Sequence, residues 1–108
     1  PARDQLARVE RWLADSPHDD TIRAALLRTA GVLCLREQLW GKAKSYLMDS
    51  LKIEADPTTL VALARLAEAV GDEAEAGAHY REAALGFMQL TSGSSVDAAR
   101  PPMRDNTL

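Results

Sequence analysis

The sequence has few aromatic residues, a single cysteine, no long apolar run and no block of positive charge. Phe, Tyr and Trp make up 5% of the 108 residues, so a core must consist mainly of aliphatic side chains. One cysteine, Cys34, excludes an internal disulfide and a cysteine-based zinc site. The longest apolar run is far shorter than the roughly 18 residues of a membrane span. A net charge of −3 without a Lys/Arg cluster disfavours nucleic acid as a partner.

Ala and Leu dominate the composition, and the spacing of the apolar residues predicts five helices. Apolar residues recur at intervals of three and four, which is the pattern of a helix with one buried face. The predicted helices span about residues 3–14, 21–37, 42–54, 58–70 and 72–90. Asp56 and Asp72 are expected to cap the fourth and fifth helices, and Ser16 the second. Gly41 is expected to separate the second helix from the third, and Gly71 to end the fourth.

The two ends of the chain differ from its middle. The helical pattern starts almost at Pro1, so we expect the chain to be a fragment of a longer protein. After Thr91 the periodicity is lost, and the sequence becomes rich in Ser, Gly and Pro. We therefore predict that residues 93–108 form a flexible tail without a packing role.

The sequence matches itself when it is shifted by 33 residues. The matching positions of the first copy are Leu27, Gly31, Ala43 and Leu47, and those of the second are Leu60, Ala64, Ala76 and Tyr80. Small residues allow the two helices of a unit to approach closely, and the larger ones are expected to fill the space between units. A helix–turn–helix unit with this period is typical of tetratricopeptide (TPR) repeats. The sequence thus predicts an all-α, TPR-type α-solenoid of antiparallel helix pairs, with a repeat domain at 1–92, a partial repeat at 1–16, and repeats at about 21–56 and 57–90.

One stretch is more particular than a generic repeat. It runs from Leu33 to Leu47 and contains the segment Leu39-Trp40-Gly41-Lys42-Ala43. This stretch resembles the C-terminal region of the HemY family, which are bacterial inner-membrane proteins associated with protoheme IX biosynthesis. The resemblance covers roughly residues 5 to 90.

The resemblance to the HemY family implies a function but no catalytic residue. It implies a cytoplasmic domain of an inner-membrane protein that acts as a protein–protein interaction scaffold at a late stage of heme synthesis. Heme-biosynthesis enzymes would be the partners, and the domain would not itself be an enzyme. Two alternatives stay open, which are a generic TPR adaptor in envelope or secretion assembly and a domain that binds porphyrin directly.

In a TPR array the first helix of each unit lines a concave groove, where partners bind. The residues that project there are Arg28, Val32, Leu35, Arg36, Val61, Arg65 and Glu68. The arginines predict a locally basic groove suited to an acidic peptide tail or, more speculatively, to porphyrin propionates. The alternative is that they are ordinary solvated charges on an exposed helix face.

Three residues invite a functional interpretation but are expected to be structural. Cys34 lies among apolar residues, so we predict a buried thiol rather than a heme ligand. Trp12 and Trp40 lie near helix ends and are interpreted as packing wedges between neighbouring helices. No spacing of His, Cys or carboxylate residues indicates a metal site or a cofactor.

Overall fold

The structure of the protein is a computed structural model, which describes residues 1–15 and 19–99. This part of the chain folds into five helices and contains no strand. The helices are α1, Ala2–Asp15; α2, Asp20–Arg36; α3, Trp40–Ile53; α4, Pro57–Ala69; and α5, Glu73–Ala99. The predicted all-α class and the five helices are confirmed for these residues.

Aspartate side chains cap the starts of three helices. The carboxylates of Asp56 and Asp72 accept hydrogen bonds from the backbone N–H groups two or three residues later, at 2.9 and 3.1 Å, as predicted. The cap of α2 is Asp19, whose Oδ1 accepts from the N–H of Ile22 at 2.9 Å. The prediction of Ser16 as this cap is wrong, because the helix begins after Asp19; Ser16 itself lies outside the described residues.

The turns that end α2 and α4 have the same geometry. The N–H of Gln38 donates to Leu35 and that of Leu39 to Cys34, which is the Schellman pattern. The same two bonds recur 33 positions later at Gly71 and Asp72. Gln38 and Gly71 both adopt a positive φ, at 60° and 85°.

Gly41 therefore does not separate α2 from α3, as the sequence predicted. It lies inside the first turn of α3, and the break occurs at Gln38, which adopts a conformation that usually selects glycine. Gly71 ends α4 as predicted.

Successive helices pack against each other, and one apolar core runs through the first four. α2 packs on α1 and α3, and α4 packs on α3 and α5. Gly31 confirms the predicted close approach of α2 and α3, since a Cβ there would lie 2.6 Å from Cγ and Cδ2 of Leu47. The buried core side chains include Leu6, Val9, Leu33, Cys34, Leu47, Leu63 and Leu66.

Seven of the eight repeat positions are buried, and Tyr80 is the exception. Its counterpart Leu47 is fully buried, whereas the side chain of Tyr80 is 37% exposed and its hydroxyl donates to Glu68 at 2.8 Å. Tyr80 is therefore less buried than its counterpart, and two features distinguish the two positions. A phenol hydroxyl requires a polar partner, and Ala64 carries a Cβ where Gly31 has none.

α5 is longer than the sequence predicts. It ends at Ala99 rather than near Leu90, so the backbone of residues 93–99 is helical. Gly and Ser lower helix stability by only about 1 kcal/mol each or less, and no proline interrupts the helix before Pro101. The rest of the predicted flexible tail, residues 100–108, lies outside the described residues. Within residues 1–15 and 19–99, no helix is long and apolar enough to cross a membrane.

Candidate partner-binding surface

A cavity of about 580 Å³ lies between α1 and α2, and we call it the first cavity. Val9, Val32 and Leu33 supply apolar wall, and Trp12 supplies an aromatic one. Arginines from both helices surround these walls. The lining residues are Gln5, Arg8, Val9, Trp12, Arg28, Thr29, Val32, Leu33, Arg36 and Thr58. An apolar cavity with several guanidinium groups is suited to a ligand that is both anionic and apolar.

The three arginines of the first cavity differ in their own partners. Arg28 is half-buried, and its Nη1 lies 3.4 Å from Oδ2 of Asp56. Arg8 and Arg36 are exposed and form no ion pair with any side chain of the described residues. Two guanidinium groups of this cavity are therefore available for carboxylates of a ligand.

Asp56 fixes Arg28 because it is itself held in place. Its Oδ1 accepts hydrogen bonds from the N–H and the hydroxyl of Thr58, at 2.9 and 2.7 Å. Burial alone would raise the pKa of Asp56, but the hydrogen bonds from Thr58 and the charge of Arg28 outweigh it and lower the pKa. Asp56 is therefore an ionised partner of Arg28 at neutral pH.

A second cavity of about 320 Å³ adjoins the first, with which it shares Val32 and Thr58. It lies between α2, α4 and α5, and its walls are mostly apolar. The lining residues are Val32, Leu35, Thr58, Val61, Ala62, Arg65 and Phe87. Arg65 is exposed and gives this cavity a positive charge.

A third depression, of about 430 Å³, lies between α4 and α5 and is acidic. Glu68, Glu73 and Tyr80 line it together with Ala76 and Gly77. The hydrogen bond that Tyr80 donates to Glu68 raises the pKa of the tyrosine. Glu68 thus accepts a hydrogen bond from Tyr80, and it does not line either of the first two cavities, although Arg65 also acts on Tyr80 and lowers its pKa in part.

Six of the seven predicted groove residues lie on the first two cavities. Arg28 and Arg36 line the first, Leu35, Val61 and Arg65 line the second, and Val32 lines both. Sequence reasoning missed Arg8, Trp12 and Phe87. Arg8 and Trp12 are four residues apart on α1, so their shared helix face was a signal that could have identified them.

The two tryptophans are not equivalent. Trp40 packs against the core as predicted. The interpretation of Trp12 as a packing wedge is wrong, because its side chain is 53% exposed and lines the first cavity.

A polar cluster between α1 and α3 positions the α1 side of the first cavity. Oε2 of Glu10 accepts a hydrogen bond from the Tyr46 hydroxyl at 2.5 Å and lies 2.8 Å from Nζ of Lys42. The bonds from Lys42 and then from Tyr46 lower the pKa of Glu10. Burial, together with the bond to Glu10, raises the pKa of Tyr46. These contacts attach α1, the helix that carries Arg8 and Trp12, to α3.

Cys34 is fully buried, as predicted, and burial raises the pKa of its thiol. The thiolate, which is the reactive form, is therefore disfavoured. Within the part of the chain that the structure describes, no group of three His, Cys, Asp or Glu side chains could hold a metal ion.

No protein-family model matches the chain, and no curated protein and no solved structure is significantly similar to it. The geometry of the first two cavities is therefore the basis for a functional proposal.

Proposed function

We propose that the chain is a TPR-type repeat domain that works as a protein–protein interaction scaffold. The observation that carries the proposal is the first cavity, where Arg8 and Arg36 are exposed and without ion-pair partners in the described part of the chain, beside apolar walls. The repeat itself is supported by the turns at Gln38 and Gly71, which are 33 positions apart and share the same hydrogen bonds. Antiparallel helix pairs with this period are the units of a TPR solenoid.

The place of this scaffold follows from the resemblance of residues 33–47 to the HemY family. We propose a cytoplasmic domain attached to the bacterial inner membrane through other segments, at a late stage of protoheme IX synthesis. Its partners would be heme-biosynthesis enzymes. Acidic segments of those enzymes would bind at the arginines, since a guanidinium group binds a carboxylate in two-pronged geometry.

A pull-down from native bacterial membranes tests the proposal. The chain is immobilised as wild type, as the double variant Arg8→Glu/Arg36→Glu, and as the control Arg11→Glu/Arg23→Glu. Each double variant changes one exposed arginine on α1 and one on α2, but the control arginines do not line either cavity. Circular dichroism checks that all three proteins have equal helix content.

We expect late heme-pathway enzymes in the eluates of the wild type and the control, and their loss with Arg8→Glu/Arg36→Glu. Recovery of only envelope or secretion components would replace the heme proposal with the generic adaptor. Equal recovery by all three proteins would show that the binding of these enzymes does not depend on the first cavity.

Direct binding of porphyrin is a second candidate, favoured by the apolar walls and arginines of the same cavity. A volume of about 580 Å³ lies within the range of cavities that bind drug-sized ligands, and arginines suit propionates. Titration of hemin at micromolar concentrations would then shift its absorbance spectrum, and Arg8→Glu/Arg36→Glu would weaken the shift. An unchanged spectrum removes this candidate for the chain.

A further inference from the structure

The first and second cavities form one continuous surface. They share Val32 and Thr58, which lie at their common boundary, so the two cavities adjoin directly. The surface starts at α1 with Arg8, crosses α2, and ends at α5 with Phe87. We call it the joint groove. A ligand in one cavity can therefore extend directly into the other.

The chemistry of the joint groove changes along its length. Its α1 end carries Arg8 and Arg36, which lack ion-pair partners within the described residues. Its α5 end is walled by Leu35, Val61 and Phe87, and among the described residues that line it Arg65 alone is charged. Phe87 is 43% exposed although it is aromatic, so covering it would remove apolar surface from water.

We propose that the joint groove binds one extended segment of a partner protein in two parts. Acidic residues of the segment lie over Arg8 and Arg36, and one apolar side chain enters the second cavity beside Val61 and Phe87. This inference rests on the proposed scaffold function and names the class of segment that the scaffold recognises.

Charge complementarity favours a protein segment over a longer polyanion. The chain has a net charge of −3, and the acidic depression with Glu68 and Glu73 lies on α4 and α5 next to the joint groove. A nucleic acid or an anionic membrane would place negative charge against both regions. A peptide can confine its acidic residues to the α1 end and present an apolar residue at the other.

The probe is a fluorescein-labelled peptide of about ten residues, which spans roughly 33 Å when extended. One half carries Glu residues and the other half carries one Phe. Two control peptides replace the Phe with Gly or each Glu with Gln. Each peptide is made in both chain directions, and the direction that binds more tightly is used for fluorescence anisotropy with the whole 108-residue chain.

Two pairs of variants locate the peptide. Arg8→Glu/Arg36→Glu is compared with Arg11→Glu/Arg23→Glu, which changes the net charge equally. Phe87→Ala is compared with Leu85→Ala, since both side chains are exposed on α5 but Leu85 does not line the joint groove. Circular dichroism confirms that every variant is folded.

We expect the first variant to raise the Kd of the full peptide by about tenfold or more, and Phe87→Ala by about threefold or more. The two controls should stay within about twofold of wild type. Phe87→Ala should leave the affinity of the Phe-to-Gly peptide unchanged, because that peptide has no side chain to enter the second cavity.

The proposal is overturned if the groove variants behave like their controls or if the Phe-to-Gly peptide binds as tightly as the full peptide. It is also overturned if no peptide binds while hemin does. These failures leave the scaffold function standing whenever the membrane pull-down recovers late heme-pathway enzymes. If the peptide binds specifically but the pull-down does not recover these enzymes, the proposal for the joint groove stands and the proposed role in heme synthesis is rejected.

Discussion

At the scale of single residues, the contact between Gly31 and Leu47 sets how closely α2 and α3 pack. Leu47 is fully buried and fills the space that a side chain at position 31 would occupy. The carbonyl oxygen of Ala43 lies 3.3 Å from the same point. Neither group has free volume into which it can retreat, because protein cores are close-packed.

We therefore expect Gly31→Ala to destabilise the protein by about 1–3 kcal/mol, although alanine is the better helix former. The free energy of unfolding is measured by urea denaturation. Gly77→Ala is the matched control, because a Cβ at position 77 meets only Nη1 of Arg81, at 3.4 Å. Gly77→Ala should raise the free energy of unfolding by about 0.5–1 kcal/mol. Equal stabilisation by both substitutions would contradict the packing argument.

A second residue-scale prediction concerns Gln38, which adopts a φ of 60°. Replacing it with Gly removes the steric conflict of its Cβ, at the expense of a more flexible unfolded chain. We expect a net stabilisation of about 0.5 kcal/mol, measured as a shift of the urea midpoint. Gly71→Ala, at the equivalent turn, should instead lose about 1 kcal/mol. The argument fails if the two substitutions change stability in the same direction.

At the scale of helices, α1 is attached through two kinds of contact. Leu6 and Val9 are buried in the core, and Glu10 accepts bonds from Tyr46 and Lys42 on α3. The polar contact is sensitive to pH because it depends on the ionised carboxylate. Since the folded-state pKa of Glu10 is lowered, its contribution to stability is present above the unfolded pKa and is lost as pH falls through the folded pKa.

Glu10→Gln should therefore destabilise the protein by about 1 kcal/mol at pH 7. The difference from wild type should shrink as the pH falls below about 4.3, the unfolded pKa of a glutamate. Urea denaturation at a series of pH values measures both. Glu73→Gln is the control, because that exposed glutamate forms no hydrogen bond or ion pair with another helix in the described part of the chain, and its loss should have little effect on α1. A difference that stays constant down to acid pH would rule out the role of the Glu10 carboxylate.

The predicted helix starts lie within two residues of the observed ones, and of the predicted ends only that of α5 differs by more than one residue. Asp56, Asp72 and Gly71 were identified because capping and left-handed turns select particular residue types. Gln38 could not be identified in this way, since a turn held by tertiary packing tolerates a poor residue. The extension of α5 to Ala99 was missed because adding residues to an existing helix needs far less local preference than starting one.

At the scale of the whole molecule, burial is concentrated in the middle of the chain. α2, α3 and α4 each contact helices on two sides, whereas α1 carries only Leu6 and Val9 as buried residues. In α5, among the residues up to Thr91 whose burial is described, the last buried one is Ala83, and residues 87–91 are exposed. Local stability should therefore decrease toward both ends of the described chain.

Hydrogen exchange measured by mass spectrometry should reveal this gradient. We expect the amides of α1 and of α5 beyond Gly86 to exchange at least about tenfold faster than those of α2 and α4. Uniform protection of all five helices would contradict the gradient and indicate one cooperative unit.

The sequence repeat identified some residues of the candidate site and missed others. Val32, Arg36 and Val61 were found because the helices α2 and α4 belong to the matching units. Arg8 and Phe87 were not, because α1 lies outside the matched region and α5 reaches the second cavity only through tertiary packing. A period in the sequence predicts which face of a helix is exposed, but not which neighbouring helix completes a cavity.

Asp56, which caps α4, forms an ion pair with Arg28 and therefore competes with a ligand carboxylate for this arginine. A carboxylate that draws Arg28 toward itself in the first cavity removes the cationic neighbour of the residue that caps α4. Because the two carboxylates compete for one guanidinium group, a stronger ion pair between Asp56 and Arg28 weakens the binding of the ligand carboxylate at Arg28. The affinity of the cavity is thus set partly from within the chain, by an internal anion that already occupies one of its three arginines.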